Sequence, residues 1–220
     1  HIKRSILFIN SQILFYIILF FSLITLNLTL LNNNRNLIVS SVNTIKLTIK
    51  GIGTLNFLTS STYASYSSPS IIKINGNIIN SNSKSYYFDT SPSSVELIWD
   101  TKLTYCGYMF YQCSQITEID LSNFDTSSVE SVYSIFEGCT SLISVNIPNF
   151  DTSKLCCVHY MFSGCTNLEY VNFGTFSESH ISSGHYDGMF YGVPDNIVFC
   201  LNKNNNNVLN LLNSRTCKIN

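Results

Sequence analysis

The sequence predicts an α/β solenoid, with short parallel strands and short helices stacked in coils, preceded by a small β cap and an N-terminal hydrophobic helix. Three observations predict it. A 26-residue period runs through the second half of the chain, apolar spacing alternates between two kinds within each period, and a long apolar stretch stands near the N-terminus.

The period holds position by position. Phe110, Phe136 and Phe162 are 26 residues apart, as are Cys113, Cys139 and Cys165. The sets Ile116/Leu142/Leu168, Ile119/Val145/Val171, Leu121/Ile147/Phe173 and Phe124/Phe150/Phe176 follow in the same register. Leu103 and Cys106 occupy the slots of Val129 and Val132 one period earlier. A last copy ends at Met189-Phe190-Tyr191-Gly192, where the period stretches to 28 and Val193 stands in the cysteine slot. An atypical terminal copy suits a coil that must cap rather than stack.

Each copy has two halves. In Leu142-x-x-Val145-x-Ile147 the alternation predicts a short strand with one buried face. In Val129-x-x-Val132-x-x-Ile135-Phe136 the spacing predicts one apolar stripe on a helix. Ser127-Ser128-Val129-Glu130 fits a capping box at its start, and Gly138 and Gly164 suit left-handed residues at its end. A strand–turn–helix–turn unit cannot bury its own apolar face, so neighbouring copies must stack with a parallel sheet along one side.

Leu142-x-x-Val145-x-Ile147 matches the opening of a leucine-rich repeat. The fuller pattern is Met-Phe-x-Gly-Cys-x-x-Leu-x-x-Val-x-Phe at 161–173, with Asn-Phe-Asp-Thr-Ser at 123–127 and 149–153. It resembles the BspA-like leucine-rich-repeat surface proteins over about residues 95–200. The resemblance implies a leucine-rich-repeat-like solenoid and a cell-surface or secreted binding protein without catalytic activity or cofactor. The chain departs from the pattern at Gly174-Thr175-Phe176-Ser177, where Asn-Phe-Asp is expected, and at Ile135, which stands for Met.

The expected organisation is a signal or anchor at 1–31, a linker at 32–42, a β cap at 43–100, about four coils at 101–196 and a C-terminal cap at 197–220. Lys3-Arg4 followed by Ile13–Leu26 has the basic and apolar parts of a secretion signal. Residues 5–31 are also apolar enough to span a bilayer, so cleaved signal and uncleaved membrane anchor both stand. Within the cap, Thr44–Lys50 alternates, Ile71–Ile79 predicts a hairpin about Asn75-Gly76, and Tyr86–Phe88 and Val95–Trp99 predict strands. This unit would cover the edge of the first coil, with Trp99 packed at the junction. After the coils, Ile197–Leu201 predicts a strand and Val208–Leu212 a short helix.

Composition bears on partners. With a net charge of −1 and only 11% charged residues, nothing points to a nucleic-acid partner. Gly51-Ile-Gly53 lacks the residues that would complete a phosphate loop.

Cys113, Cys139 and Cys165 share one slot, and Cys106 has Val132 and Val158 as repeat-mates, which predicts buried thiols rather than bridges. Cys200 and Cys217 lie outside the repeat and are the expected disulfide pair. Repeat alignment also places Cys157 with His185 and His159 with Asp187. These are zinc-type ligands, but their spacing matches no known motif, and scattered polar residues on a helical face are the expectation.

The candidate binding residues lie between the strand core positions. Glu118, Ser144 and Tyr170 are repeat-mates, as are Asp120, Asn146 and Asn172. They should form two rows on the outer sheet face, where solenoids often bind a protein or surface ligand. A structural coat protein whose repeats pack against copies of themselves is the alternative. An enzyme would need a convergent polar site that the sequence does not display.

Overall fold

The computed structural model describes residues 43–80, 82–182, 184–201 and 208. The N-terminal apolar segment lies outside them, as does most of the expected C-terminal helix. No helix among the described residues is long and apolar enough to cross a membrane.

Ten strands form in chain order: β1 (Asn43–Ile49), β2 (Gly53–Asn56), β3 (Ile71–Ile74), β4 (Asn77–Ile79), β5 (Ser85–Phe88), β6 (Ser93–Trp99), β7 (Ile116–Asn123), β8 (Ser144–Asn146), β9 (Tyr170–Asn172) and β10 (Val198–Cys200). Eight belong to one mixed sheet in the order β10-β9-β8-β7-β1-β6-β3-β4, and β2 pairs with β5 in a second small sheet. The four strands from the repeats and the segment after them are parallel. The cap joins them antiparallel, with β1 inserted between β6 and β7. The edge of the first coil is therefore covered by backbone pairing. Asn75 and Gly76 turn the β3–β4 hairpin with φ of 48° and 83°, as an Asn-Gly turn of the primed type requires. Trp99 is buried at the junction, donates from Nε1 to the Ser67 carbonyl at 2.7 Å, and meets Phe124 edge-on at 5.8 Å.

The α/β expectation is corrected: the coils contain strands and turns, and no described residue between 43 and 201 is α-helical. Where Val129–Phe136 was expected to wind into a helix, the backbone makes tandem turns. Ile135, Glu137 and Cys139 donate three residues back, to Val132, Ser134 and Phe136. The alternate amides go elsewhere. Val132, Ser134, Phe136 and Gly138 donate to the carbonyls of Cys157, His159, Met161 and Ser163 in the next coil, at 2.8 to 3.1 Å. The same ladder joins Cys106, Tyr108, Phe110 and Gln112 to Ser131, Tyr133, Ile135 and Glu137.

A helix would need those amides for bonds four residues back. Left-handed residues recur every fourth position and forbid it: Tyr108 and Gln112, Ser134 and Gly138, Tyr160 and Gly164, with φ between 51° and 74°. Apolar residues at i, i+3 and i+6/i+7 fit such turns as well as they fit a helix. The supposed capping box dissolves too. Glu130 accepts from the Tyr105 hydroxyl of the preceding coil at 2.9 Å instead of reaching back to its own chain start.

The conserved spacing inside this chain has physical reasons. Phe110, Phe136, Phe162 and Phe190 stack as a spine, with ring centroids 5.3 to 5.9 Å apart. The thiols of Cys139 and Cys165 donate to the carbonyls of Phe110 and Phe136 in the coil before, at 3.0 and 3.1 Å. Within Asn-Phe-Asp-Thr-Ser, Phe124 and Phe150 are buried, as is their repeat-mate Phe176 in the divergent third copy. The aspartate closes a local turn: Ser127 N donates to Asp125 Oδ1, and Ser153 N to Asp151 Oδ1, each at 2.9 Å. The threonine ties coils together, since Thr126 Oγ1 accepts from Asp151 N at 2.8 Å and Thr152 Oγ1 from Ser177 N at 3.1 Å.

Candidate functional site

The sheet face carries the six predicted residues, in the predicted register. Glu118 pairs with Ser144 and Ser144 with Tyr170; Asp120 pairs with Asn146 and Asn146 with Asn172. The two rows differ in what their side chains do. Asn146 Nδ2 donates to Asp120 Oδ1 at 3.1 Å, and Asn172 Nδ2 donates to Asn146 Oδ1 at 2.9 Å. Asn172 Oδ1 then accepts from Gly174 N at 3.0 Å. This row is an amide ladder along the stacking direction, and its hydrogen bonds are spent on holding coils in register. Partial burial pushes the Asp120 carboxyl up, but hydrogen bonds from Ser122 and Asn146 and the nearby Lys46 outweigh it and hold the group below its usual range.

In the other row, Glu118 accepts from Thr48 Oγ1 of β1 at 3.0 Å. Tyr170 is exposed, and its hydroxyl is raised, first by a hydrogen bond with the Cys200 thiol and then by partial burial. Cys200 is a half-buried free thiol at the end of the amide row, and Cys217, its expected partner, lies outside the described residues.

The turn side of the coils carries an aromatic row that the repeat alignment did not disclose. Tyr108 contacts Tyr63, Tyr111 and Tyr133 with ring centroids at 5.9, 5.4 and 5.3 Å. Tyr133 in turn meets Tyr160 at 5.9 Å and His159 at 5.8 Å. Tyr63 is 75% exposed and Tyr160 39%. Burial, the Tyr108 hydroxyl and neighbouring Tyr160 and Glu137 push the Tyr133 hydroxyl up to about 12. Tyr108 and Tyr160 share a slot, whereas Tyr133 belongs to the slot of Gly107 and His159, so no single column of the alignment spells the row.

At the far end of that row, Cys157, His159 and His185 each place a ligand atom within 4.8 Å of the others. The face beneath them is the turn ladder rather than the expected helix, and Asp187, also aligned by repeat, is exposed and stays outside the trio. The expected buried thiols are buried and free: Cys106, Cys113, Cys139 and Cys165. Burial raises Cys106, Cys113 and Cys165 to about 12 and Cys139 well above its usual value, so all four are poor nucleophiles.

No curated protein matches the chain, and no solved structure does. One family does match, over residues 85–209, which is more than half of the 220 residues and takes in β5 to β10 with all the stacked turns. The chain belongs to the family described as Mycoplasma protein of unknown function, DUF285.

Proposed function

We propose that the chain is a non-catalytic repeat protein of the cell surface that binds a protein partner, secreted or held by its N-terminal apolar segment, in the manner of the BspA-like proteins it resembles. The observation that carries this reading is the run of Tyr63, Tyr108, Tyr111, Tyr133 and Tyr160 along the turn side, with rings in mutual contact and their outer edges in solvent. Tyrosine offers large contact area with little side-chain entropy to lose, and it is enriched where proteins bind one another. Mutual ring packing pre-orders the row, which lowers the entropic cost of association. Exposed Glu118 and Tyr170 on the sheet face give a second, more polar surface, whereas the amide ladder beside them is occupied with coil stacking.

The test is display of the recombinant chain against host-cell and matrix proteins, followed by Tyr108→Ser/Tyr160→Ser. Serine is tolerated at these left-handed positions, because Ser134 occupies the same slot with φ of 51°. Binding that falls at least ~10-fold in the double variant supports the reading, being about 1.4 kcal/mol. Absence of any partner, together with ordered self-assembly of the chain, would replace it with the coat-protein reading.

A further inference from the structure

We propose that Cys157, His159 and His185 form a zinc(II) site, with a thiolate and two imidazoles as ligands. Cys157 and His159 are alternate residues on the third coil's turn ladder, so their side chains leave the same side. His185 stands across from them in the next coil, where its carbonyl accepts from Val158 N at 3.2 Å. The sulfur and one ring nitrogen of each histidine lie within 4.8 Å of one another. In a tetrahedral site with Zn–S of ~2.3 Å and Zn–N of ~2.0 Å, ligand atoms stand roughly 3.3 to 3.6 Å apart. Closing that difference takes about 1 Å of side-chain movement, with no change in the ladder that carries the residues.

A second observation concerns the tautomer. His185 Nδ1 lies 2.6 Å from the carbonyl oxygen of Cys156. A carbonyl only accepts, so Nδ1 is the donor in this contact, and the neutral ring then offers the Nε2 lone pair to a metal. An imidazole whose second nitrogen donates to a backbone carbonyl is oriented and made more basic, which is the arrangement that accompanies histidine bound to a metal. His159 is held by its neighbours as well, with ring centroids 5.4 Å from His185 and 5.8 Å from Tyr133. Sulfur with two imidazole nitrogens suits zinc better than the harder cations, which prefer oxygen. Three protein ligands leave a fourth position for water. On binding, the Cys157 thiol gives its proton to solvent and zinc takes the thiolate.

The position also explains why these ligands stand where they do. They join the third coil to the irregular last copy, whose period is stretched to 28 residues. A bound ion would fasten that copy to the regular stack.

Cobalt(II) is the probe, added to the full reduced chain. One equivalent should give sulfur-to-cobalt charge-transfer absorption with the strong visible bands of a tetrahedral site, and zinc should abolish both. Cys157→Ala should lose the charge-transfer band, and His159→Ala and His185→Ala should lose the tetrahedral pattern. Cys156→Ala, which keeps the backbone carbonyl, should leave the spectrum unchanged. Circular dichroism of each variant without metal separates lost binding from lost folding, and a variant that misfolds is replaced by Cys157→Ser or His185→Gln. Absence of the band in the folded wild-type chain, its persistence in Cys157→Ala or Cys157→Ser, or its loss in Cys156→Ala would overturn the proposal.

Discussion

Gly174 backs directly onto the carbonyl of Pro148: a Cβ on Gly174 would lie 1.8 Å from the Pro148 oxygen. The two residues are repeat-mates, 26 apart, so the departure from Asn-Phe-Asp in the third copy is matched by the proline beneath it. The amide of Thr175 then donates to that same oxygen at 3.2 Å. With φ of 48°, Gly174 is also in the left-handed region. Gly174→Ala is expected to destabilise the chain by about 3 kcal/mol or more, since clash and backbone strain add. Gly184→Ala, where a Cβ meets nothing within 4 Å, is the control and should be nearly neutral. Urea unfolding of the two variants reads the difference.

The two outer rows should separate stability from binding. Asn146 both donates to Asp120 and accepts from Asn172, so Asn146→Ala breaks two side-chain bonds. A loss of about 1 to 2 kcal/mol is expected. Ser144→Ala, one row over, should stay within about 0.5 kcal/mol of wild type. Equal effects in denaturant titrations would refute the division between the rows.

Thiol chemistry should sort the cysteines by depth. Cys156 is exposed and Cys157 half-buried, whereas Cys106, Cys113, Cys139 and Cys165 are buried. A rise from 9.0 to about 12 leaves roughly 1000-fold less thiolate at a given pH. With an aromatic disulfide reagent at pH 8, Cys156 should react first and the four buried thiols only after denaturation. Mass spectrometry of the labelled peptides makes the assignment. Early labelling of Cys139 would mean that the coils open locally.

Acid should loosen the start of the stack through Asp125. Hydrogen bonds from Lys102 and Ser127 hold its carboxyl down to about 2, and Lys102 Nζ stands 2.8 Å from Oδ2. A folded value below the unfolded ~3.9 stabilises the fold above about pH 4, and that contribution is lost as pH falls toward 2. Both side chains are exposed, so the effect should be under about 1 kcal/mol. Lys102→Ala should lose that small contribution at about pH 6 and above, differ little from wild type near pH 2, and so flatten the stability profile between about pH 4 and 2. An unchanged acid limb in thermal melts would show that the pair contributes nothing.

Much of the core was legible because it repeats. Phe110, Phe136 and Phe162, the thiol slot and the strand positions around Val145 all follow from spacing, and so does the pairing of Glu118 with Ser144 and Tyr170. The cap was legible through its alternation and its Asn75-Gly76 turn. The helices failed because apolar spacing records which side of a segment is buried, not where its amides donate. In the turn ladder those amides reach 25 residues ahead, as from Ser134 to the His159 carbonyl, and no local signal reports it. Left-handed Tyr108, Ser134 and Tyr160 carry no glycine to announce them. The tyrosine row escaped notice for a related reason, since contact between Tyr108 and Tyr133 crosses slots.

The phenylalanine spine has a consequence for how such a chain changes length. Each ring stacks on the ring one copy before and one copy after, and Phe162 and Phe190 also meet Phe173 and Phe199 edge-on. Duplicating residues 129–154 in place would keep the ring and thiol slots in register, because Phe136 and Cys139 would meet copies of themselves where they now meet Phe and Cys of the adjoining coils. Growth of this kind lengthens the molecule along one axis at constant girth. The exposed faces are thus free to be extended in steps of a single copy, while the cap at one end needs no redesign.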